Sequence, residues 1–176
     1  FANQGVHVDP IFVTRIEDSQ GNVLATFTPK TEDVLSKRVA YTMITMMQRV
    51  VTMGTARRML YEFGFNDVEI AAKTGTTNDN VDAWFMCAVP NLVMGVWVGG
   101  EERDIHFDNM RDGQGAEMAL PIWGLYMNKV YADKSLGYLQ TDTFAIPHGF
   151  DPCKDILADD EAPAIQESTG LDDLFQ

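Results

Sequence analysis

A chain of 176 residues with 45% hydrophobic and 22% charged content is long enough and apolar enough to bury a core, which excludes disorder along its whole length. Its formal net charge of −13 excludes electrostatic capture of nucleic acid or of an anionic membrane surface, since both need the opposite sign. Two cysteines, Cys87 and Cys153, build no disulfide framework, and His7, His106 and His148 lack metal-ligand spacing, so neither a metal nor a cofactor is expected.

Phe1 to Gly5 carries no start signal and reads like the interior of a longer folded chain. Two β-prone runs, Ile11 to Ile16 and Val23 to Phe27, flank Ser19-Gln20-Gly21-Asn22 and predict a hairpin that Pro29 ends. Ser36 suits the N-cap of a helix reaching about Met53, with Val39, Met43, Met46, Met47 and Val50 on one face and Gly54 as its stop. Methionines at helical spacing are read as core packing. A short helix over Thr55 to Tyr61 and a turn at Gly64 and Asn66-Asp67 follow. Three strands come next, Val68 to Thr76, Ala83 to Val89 and Leu92 to Gly99, joined by Thr77-Asn78-Asp79-Asn80 and by Pro90-Asn91.

The run from Ala83 to Gly100 is apolar except for Asn91 and approaches the length of a bilayer-spanning helix. Pro90-Asn91 at its midpoint breaks a helix but forms a turn, so two strands are expected and no membrane contact by this chain. Their weak polar alternation predicts strands covered on both faces. Beyond a polar loop from Arg103 to Gly115, Glu117 to Tyr131 has a helical pattern in Met118, Ile122, Leu125 and Tyr126, with Pro121 tolerable only near the first turn. The whole is an α+β pattern, an antiparallel sheet flanked by helices. Residues 132 to 150 read as an irregular linker. Residues 151 to 176, with eight acidic residues against one basic, read as a disordered acidic tail.

The sharpest chemical signal is Lys73-Thr74-Gly75-Thr76-Thr77, closing an apolar strand and opening a polar turn. Glycine clears one point on the strand so that an extended ligand can approach the backbone edge. The threonines offer hydroxyls to a carboxylate, Lys73 adds a positive charge, and the Thr76 N–H is placed to meet a developing oxyanion. Strict alternation puts Lys73 on one face and Thr74 and Thr76 on the other, a conflict that a ligand lying beside a twisted edge strand resolves. Alone, the tripeptide is equally explained by a surface strand ending in a glycine turn.

Its surroundings narrow the choice. KTGTTNDNVDAWF at residues 73 to 85 and PNLVMGVWVG at 90 to 99 resemble class A penicillin-binding proteins, for which Lys-Thr-Gly is a signature. FANQGVHVDPIFVTRIEDSQGNVL, VVTMGTARRM and GQGAEMALPIWGLYM extend the resemblance over about residues 1 to 131, the C-terminal part of a transpeptidase domain. The resemblance implies the serine β-lactamase/transpeptidase-like fold and an enzyme that cleaves D-Ala-D-Ala on a peptidoglycan stem peptide and passes the acyl group to an amine. Stem peptides, β-lactams and the remainder of a bifunctional glycosyltransferase–transpeptidase parent are the implied partners, at the extracytoplasmic face of the cytoplasmic membrane. By position Lys73 matches the catalytic lysine of the motif, Thr74, Gly75, Thr76 and Thr77 the substrate-binding strand, and Asp82 and Trp84 supporting positions. A turn-capping acid and a core aromatic would look the same at the last two.

The family's nucleophile lies in Ser-x-x-Lys and its second motif in Ser-x-Asn. Neither spacing occurs around Ser19, Ser36, Ser135 or Ser168, the four serines of this chain. Acyl transfer has no route without an activated nucleophile, so this chain alone is expected to be inactive and to be part of a longer molecule. Met86-Cys87-Ala88-Val89 departs from the small and aromatic residues the family pattern has there.

Overall fold

The computed structural model describes residues 1–155. The reading of residues 151 to 176 as a disordered tail falls almost entirely outside these described residues.

The N-terminal third makes short ribbons. β1 (Val6–Val8) pairs with β4 (Thr31–Asp33), and β2 (Arg15–Glu17) pairs with β3 (Val23–Thr26), each antiparallel. The predicted hairpin forms at β2–β3, but its first strand is three residues long and does not extend back to Ile11. Asp18 closes the turn by accepting the Asn22 side-chain amide and the backbone N–H groups of Asn22 and Gln20, and these bonds, the side-chain one most of all, hold its carboxyl below the usual range.

α1 (Lys37–Thr52) begins where the sequence places it. Ser36 caps it by accepting the Val39 N–H at 3.2 Å. Its deepest line is Ala40, Ile44 and Val51, rather than the predicted methionine stripe, and Met46 is exposed. Small and branched side chains let the helix sit close on the sheet, and the longer methionines are left at the flanks. α2 (Arg58–Tyr61) is shorter than predicted, because Thr55 to Arg57 form turns instead.

β5 (Ala71–Thr76), β6 (Asp82–Val89) and β7 (Leu92–Gly99) form an antiparallel meander in the order β5-β6-β7. Pro90-Asn91 is the turn between the last two, so Ala83 to Gly100 is two strands. No described helix is long and apolar enough to cross a membrane. The short α3 (Met110–Gly113) leads into α4 (Gly115–Ala132), and α5 (Pro152–Asp155) ends the described residues.

One face of the sheet is covered by α4. Phe85, Cys87 and Val96 meet Leu120, Trp123 and Met127 there, with Phe65 edge-on to Trp123. This reverses the side of α4 suggested by the sequence. Ile122, Leu125 and Tyr126 point outward, since the helix is apolar all round and a three-four spacing exists on both sides. Pro121 sits in the second turn rather than the first, the helix having started at Gly115.

The opposite face is covered only at one end, where Ile44 and Phe144 pack on Ala71 and Ala88. Beyond that patch Trp84, Met86 and Trp97, with Val93 beside Ala88 on the outer strand, are 42, 42, 46 and 57% exposed. The expectation of strands covered on both faces is therefore corrected. Little polar alternation marks an apolar face, and among the described residues this one is covered only where Ile44 and Phe144 pack.

Past the end of α4, residues 133–150 are irregular, with a short 3-10 turn at Lys134–Leu136, yet they lie against the body of the molecule. The Phe144 N–H donates to the Glu69 carboxylate at 2.8 Å, Asn91 donates to Asp142 at 2.9 Å, and Phe150 meets Tyr41 edge-on.

Candidate active site

β5 is an edge strand, and its outer edge has no neighbouring strand among the described residues. Register fixes the faces. Lys73 lies opposite Met86 and Gly75 opposite Trp84, on the open face. Thr74 opposite Phe85 and Thr76 opposite Ala83 lie on the α4 face. The alternation conflict is thus real, and both sets border the same free edge. Lys73 is exposed, and its ammonium donates to the Thr74 carbonyl at 2.6 Å, reaching along the strand towards the threonines.

The two hydroxyls have defined partners. Thr74 Oγ1 lies 2.9 Å from Thr55 Oγ1, in the turn after α1. One of the two donates, which leaves the pair with one proton to give. Thr76 Oγ1 accepts the Gly115 N–H, the first of α4, at 3.1 Å. Its own proton is free to be donated, and the bond sets the strand against the positive end of the α4 dipole.

Close approach of α4 to the strand depends on Gly115. A Cβ there would come 2.2 Å from the Trp84 carbonyl oxygen and 2.6 Å from that of Gly75. The same helix end is tied to α2 by Arg58, which donates to the Ala116 carbonyl at 3.1 Å and bridges Glu62 and Glu117 at 2.8 and 2.6 Å. Its hydrogen bond to Glu62 raises the guanidinium pKa further, so this clamp stays charged.

Thr77 sits differently. Its hydroxyl donates to Asp82 at 3.2 Å and accepts the Asp82 N–H at 2.9 Å, while its own N–H donates to the Asp82 carbonyl at 3.1 Å. The proton is committed to closing the turn. Asp82 is therefore a turn-capping acid, and its other oxygen accepts the Trp97 indole N–H at 2.8 Å. Trp84 is not a core aromatic. It lies on the open face, 6.4 Å from Trp97, and its Cβ would stand 3.1 Å from one added at Gly75.

A lysine, two donor hydroxyls and a helix N-terminus converge on one exposed strand edge, an arrangement suited to an extended ligand ending in a carboxylate. The Penicillin binding protein transpeptidase domain profile matches residues 1–102, which include this strand. The chain belongs to the penicillin-binding protein transpeptidase family.

Individual members agree. Penicillin-binding protein 1A of Aquifex aeolicus is 41% identical over 130 residues, covering 74% of this chain and 17% of that protein. Penicillin-binding protein 1A of Neisseria flavescens is 40% identical over 136 residues, covering 72% and 16%. The chain thus spans about a sixth of the length of these curated relatives. Among solved structures, penicillin-binding protein 1A from Haemophilus influenzae superposes with a TM-score of 0.67 at 21% identity, over 84% of this chain and 26% of that one. An imipenem acyl-enzyme of penicillin-binding protein A from M. tuberculosis superposes with a TM-score of 0.53 at 19% identity, over 72% of this chain and 28% of that one. Both share the α+β transpeptidase fold.

Among the described residues no group of histidine, cysteine, aspartate and glutamate is arranged to hold a metal. Sequence reading passed over Thr55, Trp97 and Gly115. Thr55 read only as the start of a short helix, and Trp97 only as part of an apolar strand. Gly115 lay within a quoted stretch with nothing to show that a strand would press on it.

Proposed function

We propose that this chain supplies one wall of the active site of a peptidoglycan D,D-transpeptidase that cross-links the cell wall. The observation that carries the proposal is the free-edged Lys73-Thr74-Gly75-Thr76 strand, with its hydroxyl protons and the α4 N-terminus gathered along it. A stem peptide ending in D-Ala-D-Ala lies along that edge. Thr74 and Thr76 donate to its terminal carboxylate, Gly75 lets its backbone approach, and the Thr76 N–H faces the carbonyl oxygen as charge develops. Thr77, with Asp82 and Trp84, keeps the end of the strand in place.

The attacking serine comes from another part of the longer protein. Its hydroxyl oxygen bonds to the penultimate D-Ala carbonyl carbon, and its proton passes through neighbouring groups to the departing terminal D-Ala amine. Lys73 supports that transfer as a fixed positive charge at the cleft. An amine from a second stem peptide then takes the acyl group and frees the serine. β-Lactams stop the cycle at the acyl-enzyme. A bifunctional, membrane-anchored parent with a glycosyltransferase part, working at the extracytoplasmic face of the cytoplasmic membrane, fits the family membership.

A non-catalytic envelope scaffold is the second reading, favoured by the absence of Ser-x-x-Lys from this chain. Labelling of the full-length protein with a fluorescent penicillin separates the two. The transpeptidase reading expects covalent label, and a Lys73→Ala variant acylated about a hundredfold more slowly, the scale of a lost electrostatic stabiliser at the reacting centre. Unchanged acylation by Lys73→Ala refutes the role given to that lysine.

A further inference from the structure

The turn that joins β5 to β6 is unusual in its backbone. Asp79 and Asn80 have φ of 60° and 56°, two successive non-glycine residues in the left-handed region. That conformation costs about 1 kcal/mol per residue even for types that tolerate it, so surrounding contacts must hold it. Asn80 donates to the Phe107 carbonyl at 3.1 Å, and Asp82 makes the contacts to Thr77 described above.

A further contact comes from a distant strand. Trp97 lies on β7, two strands from Lys73, and its indole N–H is aimed at Asp82 at 2.8 Å. Gly99, the register partner of Asp82, makes room for it. A Cβ at Gly99 would stand 2.6 Å from the Trp97 ring, so the indole crosses that position diagonally to reach the carboxylate. At 46% exposure Trp97 adds little to the core, and its one polar atom is spent on this acid.

We infer that Trp97 is a positioning residue for the substrate-binding strand. Through Asp82 it fixes the turn, and the turn fixes where Thr76 and Thr77 stand relative to a bound carboxylate. The inference rests on the transpeptidase reading. Trp97→Phe keeps an aromatic ring but removes the donor together with the pyrrole half of the indole, Asp82→Ala removes the acceptor, and the double variant closes the cycle.

The measurement is the rate constant for acylation of the full-length protein by fluorescent penicillin, taken on the fraction that becomes labelled. Partial unfolding then changes amplitude and not rate. Trp97→Phe is expected to acylate about tenfold more slowly, the scale of a lost charge-assisted hydrogen bond. The double variant should be no slower than Asp82→Ala alone, because both changes remove the same bond. Wild-type rate in Trp97→Phe, a loss confined to labelled amplitude, or effects that multiply in the double variant each overturn the inference. A wild-type protein that takes no label overturns the transpeptidase reading beneath it, and a Lys73→Ala variant that labels normally overturns the role given to that lysine. Lys73-dependent labelling indifferent to Trp97→Phe overturns the role of Trp97 alone.

Discussion

Tyr131 shows how burial at one residue writes itself into pH dependence. It packs edge-on to Phe65, with ring centroids 6.0 Å apart, and its phenol is pushed up from 10.0 to about 12 by burial, with smaller contributions from Cys87 and Asp142. The folded state therefore favours the neutral phenol. Its stabilising contribution is complete below the unfolded pKa of about 10 and is lost as pH rises through the folded value. Melting temperatures followed from pH 8 upward should fall over that interval, and Tyr131→Phe should make the fall shallower; an equal slope in the variant contradicts this account. Legibility at this scale is uneven. Lys73, Thr74, Gly75 and Thr76 could be found because their chemistry is local to four letters. Trp97 and Thr55 could not, because their roles are hydrogen bonds to residues 15 and 19 positions away.

Elements were legible where local signals agree with tertiary demand. Ser36 capped α1 as expected, and Pro90-Asn91 turned β6 into β7 because a proline stops helix and strand alike. The faces were not legible. α4 is apolar on all sides, so its inward line was decided by the sheet it covers and not by its own periodicity. Gly115 is the point at which that contact is tightest. Gly115→Ala should force the α4 terminus off the β5–β6 backbone, costing about 1–3 kcal/mol as overpacking does, and should slow acylation through the displaced Thr76. Chemical denaturation and penicillin labelling of the same variant check both parts. Wild-type values for both would show that α4 does not brace the strand.

At the scale of the whole molecule, the α+β class and the sheet meander could be read from composition and pattern. The meander's exposure could not. Trp84, Met86, Val93 and Trp97 form an apolar patch beside the candidate site, and periodicity alone reads such a patch as core. Residues 132–150 show the converse, since a segment with no pattern still lies against α1 and the sheet through Phe144 and Phe150. In the proposed function, wall and nucleophile lie in different parts of one longer protein. Mass spectrometry of the full-length protein after reaction with benzylpenicillin tests that division directly. The expected result is a single acyl adduct on a serine outside these 176 residues, with none on the isolated chain; an adduct on Ser19, Ser36, Ser135 or Ser168, or no adduct at all, would contradict it.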